Sequence, residues 1–511
     1  MRYNQLKLGA ALSYIQMAVN VLVGFFYTPV MLRLLGQAEY GLYNTVASTI
    51  SMMSVLNMGF SSSYIRYYSQ YKVRKDTQGI ETLNGLFLIV FSVIGTVALL
   101  CGLFLTNHLH MVFAQGLTAL EYETAGVLMV LLTVNMAITF PMLTFTCIIS
   151  AHERYVFLKL MGIVKTLVSP FLTLPLLLMG YGSVAMAAVT VAVSAIVDLV
   201  YLVYARKTLR IKFRFHGFEK GIFANLLVFS SFIAIQIIVD QINNNMDKFL
   251  LGRFVGTEEV AVYTVGYTLY HYYMLFSVGV SSVFSPRIHK IVNATVLDVS
   301  EQRTQLTELF TRVGRIQFLI LALVASGLVF FGKEFIILWA DENYLDAYSV
   351  ALLLIIPATV PFVQNVGIEI QRALNKHWFS SICYLIMALI NLAVSIQLCQ
   401  IYGAVGCALG TGISFLLANG LIINVFYHKR CNIDILKFWK NILRAALGLL
   451  VPVAAGCIMK YMWDFESWYA FFLGVVIYAA VYCGSMWLVG MNSYEKNLAR
   501  SILVRFSKMG K

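Results

Sequence analysis

The chain has 511 residues, of which 60% are hydrophobic and only 12% are charged, and its mean hydropathy is +0.79. A soluble protein has too little interior to bury so many apolar side chains, so this composition excludes the soluble classes. The net charge of +13 would suggest a nucleic-acid partner in a soluble chain. In a membrane protein a positive net charge arises from basic residues in the loops on one side of the membrane. We therefore expect no nucleic acid to bind.

Apolar stretches long enough to cross a hydrocarbon core of about 30 Å recur along the whole chain. They predict an all-α integral membrane protein with no soluble domain between its spans. The fourteen predicted transmembrane helices cover residues 10–34, 41–65, 83–105, 124–149, 155–178, 182–204, 222–242, 258–284, 311–332, 347–371, 378–399, 403–427, 442–460 and 467–490.

Lysine and arginine residues concentrate at alternate ends of these spans. All but six of the 37 fall at the ends that also carry the two termini, and basic ends stay in the cytoplasm. We therefore predict that both termini are cytoplasmic and that the first helix is retained rather than cleaved as a signal peptide. The basic ends would contact anionic membrane lipids.

A repeat with an offset of 220 residues relates two parts of the chain. Residues 220 positions apart in the segments LRLLGQAEYGLYNTV (32–46) and LGRFVGTEEVAVYTV (251–265) align without a gap, and the aligned pairs are Arg33 with Arg253, Gly36 with Gly256, Glu39 with Glu259 and Tyr43 with Tyr263. At an offset of 221, Gly182 pairs with Gly403. Each copy holds six helices, an even number, so the two copies would enter the membrane in the same direction.

The repeat predicts two parallel six-helix lobes related by a pseudo-twofold axis along the membrane normal, which is a transporter architecture. Two C-terminal helices lie outside it. The predicted organisation is an N-lobe at 1–204, a basic cytoplasmic linker at 205–221, a C-lobe at 222–428, helices 13 and 14 at 429–490, and a basic cytoplasmic tail at 491–511.

Lys165 stands in the middle of the fifth predicted span. A charge at this depth costs about 2.5 to 3.5 kcal/mol on insertion scales, so it needs a partner, a wet cavity or a function. Asp198 lies at matching depth on the next span, because both residues are about 16 positions from the turn that joins the two helices. The two side chains could form a structural ion pair. Alternatively, Lys165 could bind an anionic substrate while Asp198 takes up a coupling proton or sodium ion.

Five charged residues lie at the outer ends of predicted spans and could form an ion-paired outer gate: Arg33, Asp240, Asp247, Lys248 and Arg253. Ordinary interfacial placement of long side chains is the alternative interpretation. At the inner end of the tenth span, Glu369 and Arg372 are spaced i and i+3, which predicts that they neutralise each other.

A tyrosine stripe, Tyr263, Tyr267 and Tyr270, falls at i, i+4 and i+7 on the eighth span, so its rings share one helix face. Flat rings with hydroxyl tips could stack on passing sugars. Packing between helices, or an interfacial aromatic belt, would explain the same pattern.

Signatures of enzyme and metal sites are missing from the sequence. The eight cysteines lie in or beside apolar spans without C-x-x-C spacing, which predicts small buried side chains rather than disulfides or metal ligands. The segment GLVFFGK is followed by Glu334 where a phosphate-binding loop needs Ser or Thr. There is no H-E-x-x-H or D-x-D, and the predicted outer loops are short. We predict no enzyme activity, catalytic residue, metal or cofactor beyond a coupling ion, H⁺ or Na⁺.

The segments LRLLGQAEYGLYN, MDKFLLGRFVGTEEVAVYTVGYTL, SSVFSPRIHKI and YGAVGCALGTGIS, set in fourteen spans with short loops, resemble the polysaccharide-transport flippases of the multidrug, oligosaccharidyl-lipid and polysaccharide exporter superfamily. The resemblance covers essentially the whole chain, and its motifs are glycine and packing motifs.

The resemblance implies a protein of the bacterial cytoplasmic membrane. It would carry an undecaprenyl-pyrophosphate-linked oligosaccharide to the outer leaflet by alternating access, for O-antigen (lipopolysaccharide), capsule or exopolysaccharide. A polysaccharide polymerase and other assembly proteins are the implied partners. Two alternatives from the same superfamily stay open, a peptidoglycan-precursor flippase and an ion-coupled multidrug or cation exporter. Because a pyrophosphate needs a cation in the transport cavity, Lys165 favours a lipid-pyrophosphate substrate over a cationic drug.

Overall fold

The computed structural model describes residues 2–113, 117–217, 221–293, 298–463, 465 and 467–509, and within these ranges it contains no β-strand. The α-helices in these ranges are α1 (Arg2–Met52), α2 (Phe60–Val73), α3 (Thr77–Asn107), α4 (Ala119–Ala151), α5 (Tyr155–Leu178), α6 (Gly182–Lys207), α7 (Ile222–Gln241), α8 (Asp247–Phe254), α9 (Thr257–Ser282), α10 (Ser285–Val292), α11 (Val299–Trp339), α12 (Ala347–Val363), α13 (Val366–Ala373), α14 (His377–Phe415), α15 (Ile423–Lys429), α16 (Ile435–Ala446), α17 (Leu450–Met462), α18 (Trp468–Ser485) and α19 (Ser493–Met509).

The predicted class, an all-α membrane protein, is confirmed. Among the described residues, nine helical segments are long and apolar enough to cross a membrane, or ten if the bent pair α12 and α13 forms one span. Two of the nine, Leu8–Val73 and Trp378–Lys429, each contain a break at a glycine and each cover two of the predicted spans. The total of fourteen spans stays a prediction.

The breaks in α1 and α14 occur at Gly36, with φ 76°, and at Gly403, with φ 55°. Both values lie in the left-handed region, which glycine adopts at little cost. Their partners in the 220-residue repeat, Gly256 and Gly182, also have positive φ. Glycines with positive φ therefore occur at corresponding places of the two copies.

A glutamate binds a helix start in each copy of the repeat. Glu39 Oε1 accepts a hydrogen bond of 2.6 Å from the amide of Ser183, in the first turn of α6. Glu259 Oε2 accepts one of 2.7 Å from the amide of Ala404, just after the break in α14. Helix N-termini carry unpaired N–H groups and partial positive charge, so a carboxylate stabilises both.

The chain divides into two compact units, of which the first comprises Met1–Thr264 and Leu392–Cys407. One of its clusters joins α1, α4 and α6 through the buried residues Leu42, Val46, Leu128, Met129 and Ala187. Close packing of such apolar side chains is what holds these helices together at fixed positions.

The segment that follows α6 is also packed within this unit. The amide of Arg214 donates to the carbonyl of Glu81 at 3.0 Å, and the side-chain amide of Asn84 donates to the carbonyl of Lys212 at 3.0 Å. The predicted linker is thus attached to α3 through Lys212 and Arg214, and its residues 218–220 lie outside the described part of the chain.

The second unit comprises Val265–Asn391 and Ala408–Lys511. Aromatic side chains form one of its clusters, in which Phe330 and Phe331 of α11 pack against Phe471 and Tyr478 of α18. The two C-terminal membrane helices are therefore integrated into this unit through α11.

A buried ion pair also attaches α19 to α11. Arg315 Nε donates to Glu495 Oε1 at 2.6 Å and one terminal nitrogen donates to Glu495 Oε2 at 2.8 Å. The guanidinium also donates to the carbonyls of Asn441 and Gly490, at 2.7 and 2.8 Å. Both charged side chains are almost fully buried, so the hydrogen bonds around them offset their lost hydration.

Candidate functional site

Lys165 lies near the middle of α5 and is exposed from the rest of the protein. Beside it, the hydroxyl of Thr166 donates to Asn20 Oδ1 of α1 at 2.7 Å. One turn earlier on α5, Gly162 leaves room for the side-chain amide of Gln16, which would contact any added Cβ. Amide and hydroxyl groups of α1 and α5 therefore meet within one turn of Lys165 along α5.

Asp198 is half-buried on α6, which packs against α5. The Asp198 carboxylate interacts electrostatically with the positive charge of Lys165 and with the hydroxyl of Tyr201. No ion pair within 4.0 Å joins Lys165 to Asp198, two side chains that the structure describes. The two charges interact electrostatically without closing into a direct pair in this conformation. Sequence reasoning assigned them roles that stay predictions.

Asp247 is the most buried of the predicted outer-gate residues, with 4% of its surface exposed. It begins α8 directly after a π-helical segment, Ile242–Met246, and its Oδ2 accepts a hydrogen bond of 2.6 Å from the hydroxyl of Tyr263. The structure thus joins two residues that the sequence had placed in separate groups. Lys248 follows Asp247, and its charge acts on the Asp247 carboxylate.

The other gate candidates lie in different surroundings within the first unit. Arg33 is exposed on α1. Asp240 accepts a hydrogen bond of 3.0 Å from the side-chain amide of Gln236, one turn earlier on α7. The guanidinium of Arg253 lies 5.5 Å from the ring centroid of Phe254. An outer gate formed by these residues stays a prediction.

The two copies of the repeat differ at the Asp247 position. At the offset of 220 residues, Asp247 corresponds to Tyr27 and Tyr263 to Tyr43. In the first copy the two hydroxyls lie near threonines instead, Tyr27 near Thr173 and Tyr43 near Thr190. The buried carboxylate is therefore a feature of the second copy, and no local pattern in the sequence indicates its hydrogen bond to Tyr263.

The tyrosine stripe on α9 is mostly packed. Tyr263 is buried against Asp247, and the ring of Tyr270 stacks on Phe362 and Phe415 at centroid distances of 5.8 and 6.0 Å. Tyr267 is only partly buried, with its ring 5.5 Å from that of Tyr270. Among the three rings, Tyr267 has the most surface available to a ligand.

The remaining sequence predictions concern ions and thiols. Arg372 donates to Glu369 at 2.7 Å, so the predicted pair between them is confirmed. The eight cysteines are free; five are buried, whereas Cys101, Cys457 and Cys483 are exposed. In the described ranges, no group of three or more His, Cys, Asp or Glu side chains is arranged to hold a metal ion.

Comparisons with known proteins place this geometry in context. A family model described as "Polysaccharide biosynthesis protein" matches residues 7–292. A search of curated protein sequences found no match.

Solved membrane transporters have a similar fold. The lipid II flippase MurJ in an inward closed conformation superposes with a TM-score of 0.73 at 16% identity, covering 93% of this chain and 98% of that chain. An inward-facing multidrug resistance MATE family transporter of the MOP superfamily gives 0.61 at 13% identity, covering 84% and 99%. A MATE transporter from Vibrio cholerae gives 0.56 at 14% identity, covering 84% and 99%.

Proposed function

Because the chain belongs to the polysaccharide biosynthesis protein family, we propose that it is a flippase for an oligosaccharide linked to undecaprenyl pyrophosphate. It would move this lipid from the inner to the outer leaflet of the bacterial cytoplasmic membrane by alternating access, supplying the synthesis of O-antigen, capsule or another surface polysaccharide. The fold is that of flippases and transporters, and enzymatic chemistry is not part of the proposal. The proposed partners are the lipid substrate, membrane lipids and the polymerase that uses the flipped product.

The observation that carries the proposal is the environment of Lys165. Lys165 is an exposed cation in the middle of an apolar helix, and the side chains of Asn20 and Thr166 meet within one turn of it along that helix, a set of groups that suits a pyrophosphate and its sugars. A cation attracts the phosphates, and amide or hydroxyl groups bond to neighbouring oxygens. Asp198 is near enough to influence Lys165 electrostatically, so protonation or ion binding there would change how strongly Lys165 holds an anion.

The alternatives differ in the site that they need. A cation exporter needs a carboxylate whose charge is not already compensated, whereas the charge of Lys165 acts on Asp198. A peptidoglycan-precursor flippase would use the same cation, because that substrate is also a lipid pyrophosphate. The similarity to the flippase MurJ shows a shared fold and does not choose between glycans.

Deleting the gene tests the proposal in cells. We expect lipid-linked oligosaccharide to accumulate on the inner leaflet and surface polysaccharide to disappear, with both restored by a plasmid copy. Normal surface polysaccharide combined with new sensitivity to cationic drugs would support the exporter instead. Rescue of a strain depleted of its peptidoglycan-precursor flippase would support the second alternative.

A further inference from the structure

A groove of about 800 Å³ lies in the second unit, between the start of α14 and the end of α15. The ring of Phe379 stacks on that of Phe426, with 4.5 Å between centroids and 9° between planes, and the two form one wall. Leu421 and Val425 lie on the same stretch of helix and are 61% and 54% exposed. Exposed apolar side chains on a membrane helix are suited to contact with hydrocarbon, so the groove can accommodate an acyl chain.

The backbone that carries this wall is irregular. Residues Leu416–Ile422 form a π-helical segment between α14 and α15. Such segments change the register of the side chains that follow them and are frequent at functional sites. Here the change precedes Val425 and Phe426, which line the groove.

Three cations stand at one end of the groove: Lys376, Lys429 and Arg430. The ammonium of Lys376 donates to the carbonyl of Arg430 at 2.5 Å. This hydrogen bond links the start of α14 to the end of α15. Lys429 is the last residue of α15 and Arg430 caps its C-terminus, where the helix dipole favours positive charge, whereas Lys376 directly precedes α14. No acidic residue is among the described residues that line the groove.

We propose that this groove binds one anionic glycerophospholipid, with its phosphate held by Lys376, Lys429 and Arg430 and an acyl chain lying over Leu421 and Val425. The positive-inside rule assigns this end of α14 to the cytoplasmic leaflet. Basic pockets between helices at that face bind anionic headgroups. A free phosphate would leave the apolar walls uncovered. The apolar walls suit a lipid of the surrounding bilayer, which would be a structural lipid rather than the transported substrate.

Binding to the purified full-length protein in a neutral detergent tests this site, with phosphatidylglycerol and phosphatidylcholine as the probes and native mass spectrometry as the readout. We expect one tightly held phosphatidylglycerol and no comparable binding of phosphatidylcholine. In the triple variant Lys376→Ala, Lys429→Ala, Arg430→Ala, the affinity for phosphatidylglycerol should fall by about 100-fold, since each of the three basic residues near the headgroup contributes about a factor of five.

The matched control removes the same charge elsewhere. Lys437, Lys440 and Arg444 are exposed on the neighbouring helix α16. If direct contact rather than net charge determines binding, replacing these three residues by Ala should change the affinity for phosphatidylglycerol by no more than about twofold. The variant Val425→Trp fills the groove without changing its charge and should also lose the lipid. If the triple variant does not fold, the Val425→Trp variant still tests whether the groove is the binding site.

Three results would overturn the inference. Equal binding of phosphatidylglycerol and phosphatidylcholine by the natural protein would show that the three cations do not select an anionic headgroup. Equal losses in the groove and α16 variants would show a nonspecific surface effect. Groove variants that lose undecaprenyl pyrophosphate while keeping phosphatidylglycerol would assign the groove to the transported lipid.

Discussion

At the scale of single residues, Lys165 is the side chain on which the proposed transport depends most. We expect Lys165→Ala to reduce surface polysaccharide at least about 10-fold while the protein stays at normal abundance in the membrane, because the loss of a charge-assisted contact worth about 1.5 to 3 kcal/mol weakens substrate binding by at least that factor. The measurement is polysaccharide output per amount of membrane protein. Lys460→Ala, which removes an exposed cation from α17, is the control and should transport normally.

The exchange of charges separates binding from structure. In the double variant Lys165→Asp, Asp198→Lys, a structural pair would survive, whereas a pyrophosphate site would lose its cation at the required position. Since no direct ion pair joins these described side chains, we expect the exchange to fail. Restored transport would refute Lys165 as the group that binds the pyrophosphate.

His152 gives the protein a titratable contact at the end of α4. Burial lowers the pKa of His152, and the positive charges of Lys72 and Arg154 lower it further, against the Ile148 carbonyl, which favours the charged ring. The unfolded chain therefore takes up the proton first, so stability is complete above pH 6.5 and falls as the pH drops below it. We expect the melting temperature to decrease between pH 7 and pH 5.5.

His152→Gln removes this titration and can still bond to the hydroxyl of Tyr68, which lies 3.1 Å from His152 Nε2. The variant should therefore show a weaker decrease in melting temperature across the same range. Equal pH dependence in both proteins would exclude His152 as the titrating group.

At the scale of helices, Glu39 and Glu259 act as matching carboxylate caps. Glu39→Gln and Glu259→Gln each remove a charge from a helix start, and we expect each to cost about 1 to 2 kcal/mol in stability. Thermal unfolding in detergent is the measurement. Glu258→Gln is the control, because Glu258 precedes Glu259 on α9 but its side chain is exposed. Unchanged melting temperatures in both cap variants would contradict the assignment.

The ion pair between α11 and α19 should be far more sensitive. Arg315→Gln or Glu495→Gln leaves a buried charge without its partner, which typically costs about 3 to 5 kcal/mol. Proteolysis within α19 should then become fast in either variant. Arg303→Gln, which changes an exposed residue of the same helix α11, should leave α19 as resistant as in the natural protein. Resistance in all three would show that α19 is held by other contacts.

These elements show what could be predicted from the sequence. Hydropathy sums over neighbouring residues, so it predicted the membrane helices, and the repeat predicted that Glu39 and Glu259 share a setting. Arg315 was counted among the basic helix ends, since its partner Glu495 is 180 positions away and nothing local indicates burial. Asp247 and Tyr263 were placed in separate groups for the same reason, because their hydrogen bond depends on tertiary packing.

At the scale of the whole molecule, the predicted lobes can be tested by cutting the chain. Since Lys212 and Arg214 attach the segment after α6 to α3, the cut belongs beyond them, between Gly217 and Gly221. If the two parallel lobes fold as units, the co-expressed halves should restore surface polysaccharide, and neither half alone should do so. Loss of transport with both halves stably inserted would indicate that the lobes require a continuous chain.

Reconstitution tests the central claim most directly. The purified protein is placed in vesicles that carry an undecaprenyl-pyrophosphate oligosaccharide, and the fraction of sugar accessible to an external lectin is followed over time. Vesicles with the natural protein should equilibrate the lipid between leaflets, whereas vesicles with Lys165→Ala, or without protein, should not. Absence of lipid movement by the natural protein, in vesicles where it expels a cationic dye, would contradict the flippase function.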